Sequence, residues 1–461
     1  MTHLVCLTKI HGRYLAGVCL AALAFGCTSG HWGAPVDSAD VIILSRSDYA
    51  DRLEGFWLGQ SIANWTGLVT EMDKIGGDGP AGEFYTRDDW GTPDQPSIWS
   101  GEPSSLSPTI DWVFEGPDGV WGADDDTDIE YLYQHLLLTH QTTRLTGAQI
   151  RDGWLRHIYS DDDTPFRNDE GQPENFLWVS NQRAFDLMIE QGAVPPATSA
   201  PQHNPYFEMI DAQLTTEIFG LFAPGRPDVA LGMAYLPIRT TARGDAALAA
   251  EFYVVMHSLA GTSDPDQSMK ERVHWLAAEA RKHLPDESYT ARMFDFVHSR
   301  YSAGVPWEQA RDEVYLRYQV DQQDGYDITS RNMICNGCFA SGINFAASIV
   351  SLLYGEGDYR ETVKIAVLAG WDSDNPAATW GGLLGFLSGK DGLEEMFGRE
   401  FANRFNIHRT RKGFPVPGGI DTFARMAGNG IRVVDLVVSD EMGGSTSKRR
   451  DVWLIPVQDD H

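Results

Sequence analysis

The stretch "LAGWDSDNPAATWGGLLGFLSG", residues 368–389, decides how this chain is read. It is small and apolar nearly throughout, yet Asp372 and Asp374 interrupt it with one serine between them. A second acidic knot, "GADDDTDIEYLYQHLLLTH" at 122–140, sets Asp124, Asp125 and Asp126 side by side. Ile129, Leu132, Tyr133, Leu136 and Leu137 then recur at helical spacing. Each knot stands where a helix would start. Capping explains part of this: Thr127 and Glu130 form a T-x-x-E box, and Ser373 or Asn375 can cap a helix with Pro376 in its first turn. Capping does not call for three adjacent carboxylates, nor for two that straddle a serine. Adjacent carboxylates repel, and a divalent cation relieves the repulsion most simply. Hard cations take carboxylate, hydroxyl and amide oxygens, and no His or Cys stands beside the aspartates of either knot to make a zinc site.

Working outward, the chain reads as helical. "ALAAEFYVVMHSLAG" (247–261), "KERVHWLAAEARKHL" (270–284) and "SGINFAASIVSLLYG" (341–355) carry helix-period patterns. The last is apolar nearly all round, as a helix at the centre of a large bundle should be. Loops rich in Gly, Pro and Asp occupy 72–108 and 159–175. No strand–helix alternation appears, which argues against a parallel sheet. In the tail, "IRVVDLVV" (431–438) and "DVWLIPV" (451–457) flank "GGSTSKRR" and read as a terminal hairpin. The fold class is therefore all-α, one large domain over 46–430 with a small β-prone appendage at 431–461.

Composition narrows the function. With 36 Lys+Arg against 65 Asp+Glu among 461 residues, the net charge of −29 repels nucleic acid and anionic membrane. Lys9, His11 and Arg13 precede the apolar run "YLAGVCLAALAFG" (14–26), too short to span a bilayer and suited to a signal peptide. Ala24-Phe25-Gly26-Cys27 resembles a lipobox, with Cys27 as the lipidated residue and 27–45 as a linker. The expectation is an exported, periplasmic or cell-surface lipoprotein, touching membrane only through that anchor. Cys335 and Cys338 in "CNGC" cannot by themselves fill a four-ligand zinc site. They read as two small buried residues opening a helix, with an oxidised pair as the lesser alternative.

A third motif joins the two knots. "GFWLGQSIANWTGLVTE" (55–71) presents Gly55, Gly59 and Gly67 at regular spacing, followed by Glu71. Together with "DDDT" and "GWDSDNPAATWGGLLG", in that order, it resembles the ADP-ribosylglycohydrolase family over roughly residues 50–400. The resemblance implies an all-α bundle that binds two Mg²⁺ (or Mn²⁺) ions at the mouth of a cleft. Carried over by position, Asp125 and Asp126 match the early ligand pair and Asp372 and Asp374 the late one. Asp124 and Asn375 stand where the family has hydroxyl residues beside those pairs. Glu71 matches a glutamate at metal or attacking water, so Glu71 and Asp125 are the candidate proton acceptors. Asn64 replaces the aspartate of the opening motif; with Asn336, Gly337 and Trp371 it is a candidate substrate contact. Ala242 stands at a histidine position, and "MIDAQLTTEIFGLFAPGRP" (209–227) replaces a glycine-rich segment near the adenosine diphosphate.

The chemistry so implied is hydrolysis at the anomeric carbon of ADP-ribose or a related ribosyl conjugate. The ions would grip ribose hydroxyls and activate water, and a carboxylate would guide its proton. Two other readings stay open: a glycoside hydrolase acting on a sugar without the diphosphate, and a non-catalytic metal or sugar binder. For the former, Trp57, Trp65, Trp90, Trp371 and Trp380 are candidate stacking platforms.

Overall fold

A computed structural model describes residues 41–168, 171–407 and 409–457, with Asp126 described by its backbone alone. The signal segment and Cys27 lie outside the described residues. The order begins with β1 (Val41–Ser45), α1 (Arg46–Gly67), β2 (Trp121–Gly122) and α2 (Asp125–His140). Next come α3 (Gly147–His157), α4 (Val179–Gln191), the single-turn α5 (Asp211–Leu214), α6 (Ile218–Phe222) and α7 (Pro227–Ile238). After α8 (Asp245–Ala260), α9 (Met269–Arg281) and α10 (Tyr289–Ser302), α11 (Trp307–Val314) runs on into a π-helical turn, Tyr315–Val320. Then follow α12 (Ile334–Gly337), α13 (Ser341–Gly355), α14 (Tyr359–Ala369) and α15 (Asp374–Phe397). β3 (Arg404–Asn406), β4 (Ile420–Thr422), α16 (Phe423–Asp440), β5 (Ser445–Ser447) and β6 (Val452–Pro456) complete the order.

The fold is all-α, as the periodicity predicts, with two three-stranded sheets at its margin, ordered β1-β6-β5 and β2-β3-β4. Its spine is the pair α1 and α15. α1 places Gly55, Gly59, Ala63 and Gly67 at every fourth position, one stripe down a single face. A β-carbon at Gly55 would strike the Gly385 carbonyl, and one at Gly59 the carbonyl of Gly381. The two backbones thus touch, which offsets the entropy that glycine loses inside a helix. α13 fills the centre: every residue of it except Tyr354 is buried. Among the described residues no helix is long and apolar enough to cross a membrane.

The tail corrects the sequence reading. Residues 431–438 are helical, within α16, despite their β-branched composition. Met426, Ala427, Ile431, Val434 and Val438 recur at i, i+3 and i+4 and bury one face, so tertiary packing overrides β propensity. The hairpin lies later, between β5 and β6, with Ser445 opposite Leu454. Val41–Ser45, read as the end of a linker, is a strand paired antiparallel to β6, with Ser45 opposite Val452. Arg46 ties this corner to α16 through Asp435 at 2.8 Å.

Candidate metal centre and active site

The late acidic knot is stitched to the segment that follows α1. Met72 N–H donates to the Trp371 carbonyl at 2.9 Å, and Trp371 N–H to the Lys74 carbonyl at 2.6 Å. Thr70 Oγ1 donates to the Val367 carbonyl at 2.6 Å and lies 3.0 Å from Ser373 Oγ. Ser373 in turn donates to the Gly67 carbonyl at 3.1 Å, so its hydroxyl joins the two segments and does not cap α15. Gly370 and Trp371 both take positive φ, 94° and 58°, turning the chain so that Asp372 and Asp374 face Glu71. An oxygen from each of Glu71, Asp372 and Asp374 lies within 4.8 Å of the other two. Asp372 N–H is held at 3.2 Å by Asn344 Oδ1, from the central helix α13.

Asn64 brings in the early knot. Its Nδ2 lies 3.5 Å from Asp124 Oδ2 and 3.5 Å from Asp374 Oδ2, bridging the N-termini of α2 and α15. The cap of α2 differs from the predicted T-x-x-E box. Asp124 is the N-cap, its N–H donates to Thr127 Oγ1 at 3.1 Å, and its Oδ1 accepts Asp125 N–H at 2.9 Å. Thr127 thus sits at the third helical position, and Glu130, a turn further on, is wholly buried. Both helices aim positive dipole ends at the carboxylates.

Electrostatics ties these residues into one site. Burial raises the Glu71 carboxyl well above the ordinary range, reinforced by Asp374, Asp124 and Asp73. Asp372 is raised by burial, then by Asp374, Glu71 and Asp125; Asp125 by burial, then by Asp124, Asp128 and Asp211. The neighbouring charges that act most on these three are all carboxylates. Converging carboxylate oxygens fit a hard divalent cation such as Mg²⁺ or Mn²⁺. Glu71, Asp372 and Asp374 are the side chains placed to hold it; the side chain of Asp126 lies outside the described residues.

Other predicted contacts fall differently. Trp371 is fully buried, its indole N–H bonded to Gln319 Oε1 at 2.7 Å and its ring 4.7 Å from Phe84, so it anchors the turn from inside. Trp57 and Trp380 are equally buried and cannot stack on a ligand. Among the described residues the exposed indoles are Trp99, at 54% and stacked on Phe339 at 5.4 Å, Trp178, at 47%, and Trp275, at 39%. Trp99 follows Ile98, whose N–H reaches the Met72 carbonyl beside Glu71; the Phe339 carbonyl accepts Ile210 N–H beside Asp211. Asn336 is exposed and Gly337 buried in the "CNGC" turn. Cys335 and Cys338 form a disulfide there, against the reduced reading, because a tight turn brings their Cα atoms to 5.5 Å.

Two site residues escape sequence reasoning. Asp211 in α5 is buried, accepts Asn181 N–H at 2.7 Å, and is pushed up to about 6 by burial. Arg411 pairs with Asp128 at 2.9 Å, both buried; even so, burial pushes Asp128 up to about 7. The Asp128 contact is legible only as an extra acid after "DDDT", and its partner sits far along the chain.

The family model described as ADP-ribosylglycohydrolase matches residues 45–412. Among curated proteins, none matches this chain. A solved structure titled "ADP-ribosylglycohydrolase-related protein complex" is similar at 14% identity and a TM-score of 0.45, covering 85% of this chain and 99% of its own.

Proposed function

This chain belongs to the ADP-ribosylglycohydrolase family, and on that basis we propose that it is a metal-dependent hydrolase of the glycosidic bond at the anomeric carbon of ADP-ribose or a related ribosyl conjugate. The observation that carries the reading is the convergence of Glu71, Asp372 and Asp374 oxygens within 4.8 Å. Bound Mg²⁺, as two ions, would supply hydroxyl templating and an activated water. Glu71 takes the proton of the attacking water as the bond from C1 to the departing nitrogen or oxygen breaks, and the leaving group ends protonated. Burial and the neighbouring carboxylates raise its proton affinity, which favours uptake of that proton. Asn64 orients Asp124 and Asp374, and Asn344 fixes the Asp372 backbone.

A second reading has its own support. Exposed Trp99 beside Phe339 offers a ring-stacking platform, and the acidic surroundings would oppose a diphosphate. An exported glycoside hydrolase acting on a neutral sugar would meet both features. The Cys335–Cys338 disulfide fits an oxidising compartment, in line with the lipoprotein reading of Cys27.

Titration of metal-stripped protein with Mg²⁺ and then ADP-ribose tests the proposal. Mg²⁺-dependent ADP-ribose binding, lost in Asp372→Ala, supports it. Mg²⁺ binding without ADP-ribose binding, together with cleavage of neutral glycosides, favours the second reading. No metal binding at all overturns both.

A further inference from the structure

One helical turn beneath the mouth lies another pair of carboxylates. Glu130 of α2 and Glu217, which precedes α6, are 0% and 1% exposed. Glu130 Oε1 accepts Ile218 N–H at 2.8 Å, and Oε2 accepts Gln60 Nε2 at 2.8 Å. Glu217 Oε1 accepts the Thr379 hydroxyl at 3.0 Å. Glu217 Oε2 and Gln60 Oε1 are buried and have no hydrogen-bond partner. Gln60 sits four residues before Asn64 on α1, and Thr379 five after Asp374 on α15, which sets this layer directly under the acidic mouth. Each carboxylate feels the interior, and Glu130 also the charge of Glu217.

Among the described residues no Lys, Arg or His donates to either group. Two buried carboxylates without a basic partner must be neutralised in some other way. A single proton shared by the pair would still leave one carboxylate charged in the interior, with no base to offset it. A divalent cation would balance both charges and give the two orphaned oxygens, Glu217 Oε2 and Gln60 Oε1, a partner. We propose that Glu130, Glu217 and Gln60 form an interior cation site, with Thr379 at its edge, that takes a divalent ion of the Ca²⁺ class. Two carboxylates balance its charge, and the amide and hydroxyl oxygens extend the donor set. A site so enclosed admits little water, which disfavours Mg²⁺ because it retains much of its hydration shell. The ion would clamp α1, α2, α6 and α15 below the mouth, independently of what the mouth binds.

The test loads metal-stripped full-length protein with Ca²⁺ alone and counts retained ions by native mass spectrometry. Asp372→Ala/Asp374→Ala removes the mouth ligands; this variant should keep one Ca²⁺ and melt at higher temperature with Ca²⁺ than with chelator. Adding Glu217→Gln should abolish both the retained ion and the shift. Adding Gln60→Leu instead should weaken Ca²⁺ at least tenfold, a check that stands if Glu217→Gln fails to fold. No ion on the mouth-deleted protein, or an ion indifferent to both inner substitutions, overturns the site and leaves the pair neutralised by protons.

Discussion

Gly67 of α1 is pressed so closely against Asp374 that a β-carbon at position 67 would collide with the Asp374 Cα. The glycine therefore sets how far the late acidic knot stands from Glu71, four residues downstream of it. Gly67→Ala should cost about 1–3 kcal/mol of stability through overpacking and displace the Asp374 carboxylate. Mg²⁺ affinity should fall at least tenfold. Gly428→Ala is the contrast, because that exposed helical glycine meets nothing within 4 Å; it should be neutral or slightly stabilising. Equal melting and metal-binding data for the two variants would remove Gly67 from the argument.

Asn64 bridges one carboxylate of each knot, Asp124 and Asp374, and would orient both around an ion. Residues that orient ligands in this way usually change metal affinity by about 10–100-fold when removed. Asn64→Ala should weaken Mg²⁺ within that range in titration calorimetry while leaving the far-ultraviolet helix signal unchanged. Asp374→Ala should be more severe, abolishing binding at accessible concentrations.

The pH dependence of metal-free protein follows from the raised carboxyls of Glu71, Asp125 and Asp372, and from Asp211 at about 6. Unfolded, these groups ionise near about 4. Above that pH the native state holds more protons than the unfolded chain, so stability is full at low pH and falls as pH rises through the native values. With chelator, melting temperature should drop as pH rises from about 4 through about 6, where Asp211 loses its proton, and go on dropping as the other raised carboxyls ionise. Saturating Mg²⁺ should flatten that fall, since the ion replaces the protons. A chelated protein that melts higher at the alkaline end would contradict the crowding of carboxylates.

Arg411 and Asp128 form a buried ion pair, and Arg411 also donates to the Asn175 carbonyl at 2.9 Å. Removing one partner leaves an uncompensated charge: Arg411→Met should destabilise by about 3–5 kcal/mol. The double variant Arg411→Met/Asp128→Leu should recover much of that loss in thermal or urea unfolding. A double variant no better than the single would assign the loss to the Asn175 contact instead.

What could be read from the chain was what local chemistry dictates. Asp372 and Asp374 stood out because neighbouring carboxylates without a capping role are costly, and Gly55, Gly59, Gly67 and Glu71 because they fall in register with a family motif. Residues 431–438 misled because β-branched composition looks the same in a strand and on a buried helix face. Glu130 misled because T-x-x-E describes a cap that Asp124 takes instead. Asp211 and Arg411 were out of reach, since only tertiary contact makes them part of the site. The same holds for tryptophans: Trp371 and Trp99 differ in burial, not in any local signal.

The disulfide turn reaches the acidic cluster through one side chain. Asn344 Nδ2 donates to the Cys338 carbonyl at 2.8 Å and to the Ala340 carbonyl at 3.0 Å, while its Oδ1 accepts Asp372 N–H. Asn332, Ile334, Cys335 and Asn336 all hold positive φ, a run that L-residues keep only when their surroundings enforce it. Closing so short a loop restrains the unfolded chain by about 2 kcal/mol at most. Reduction with dithiothreitol should therefore cost little global stability but release the turn, letting Asn344 drift from Asp372. Amide exchange at Asp372 should accelerate, and Mg²⁺ affinity should fall several-fold, with Cys335→Ser/Cys338→Ser behaving like reduced protein and no longer responding to dithiothreitol. If exchange at Asp372 stays unchanged while the turn itself becomes exchangeable, the disulfide stabilises only its own loop, and Asn344 is held by α13 alone.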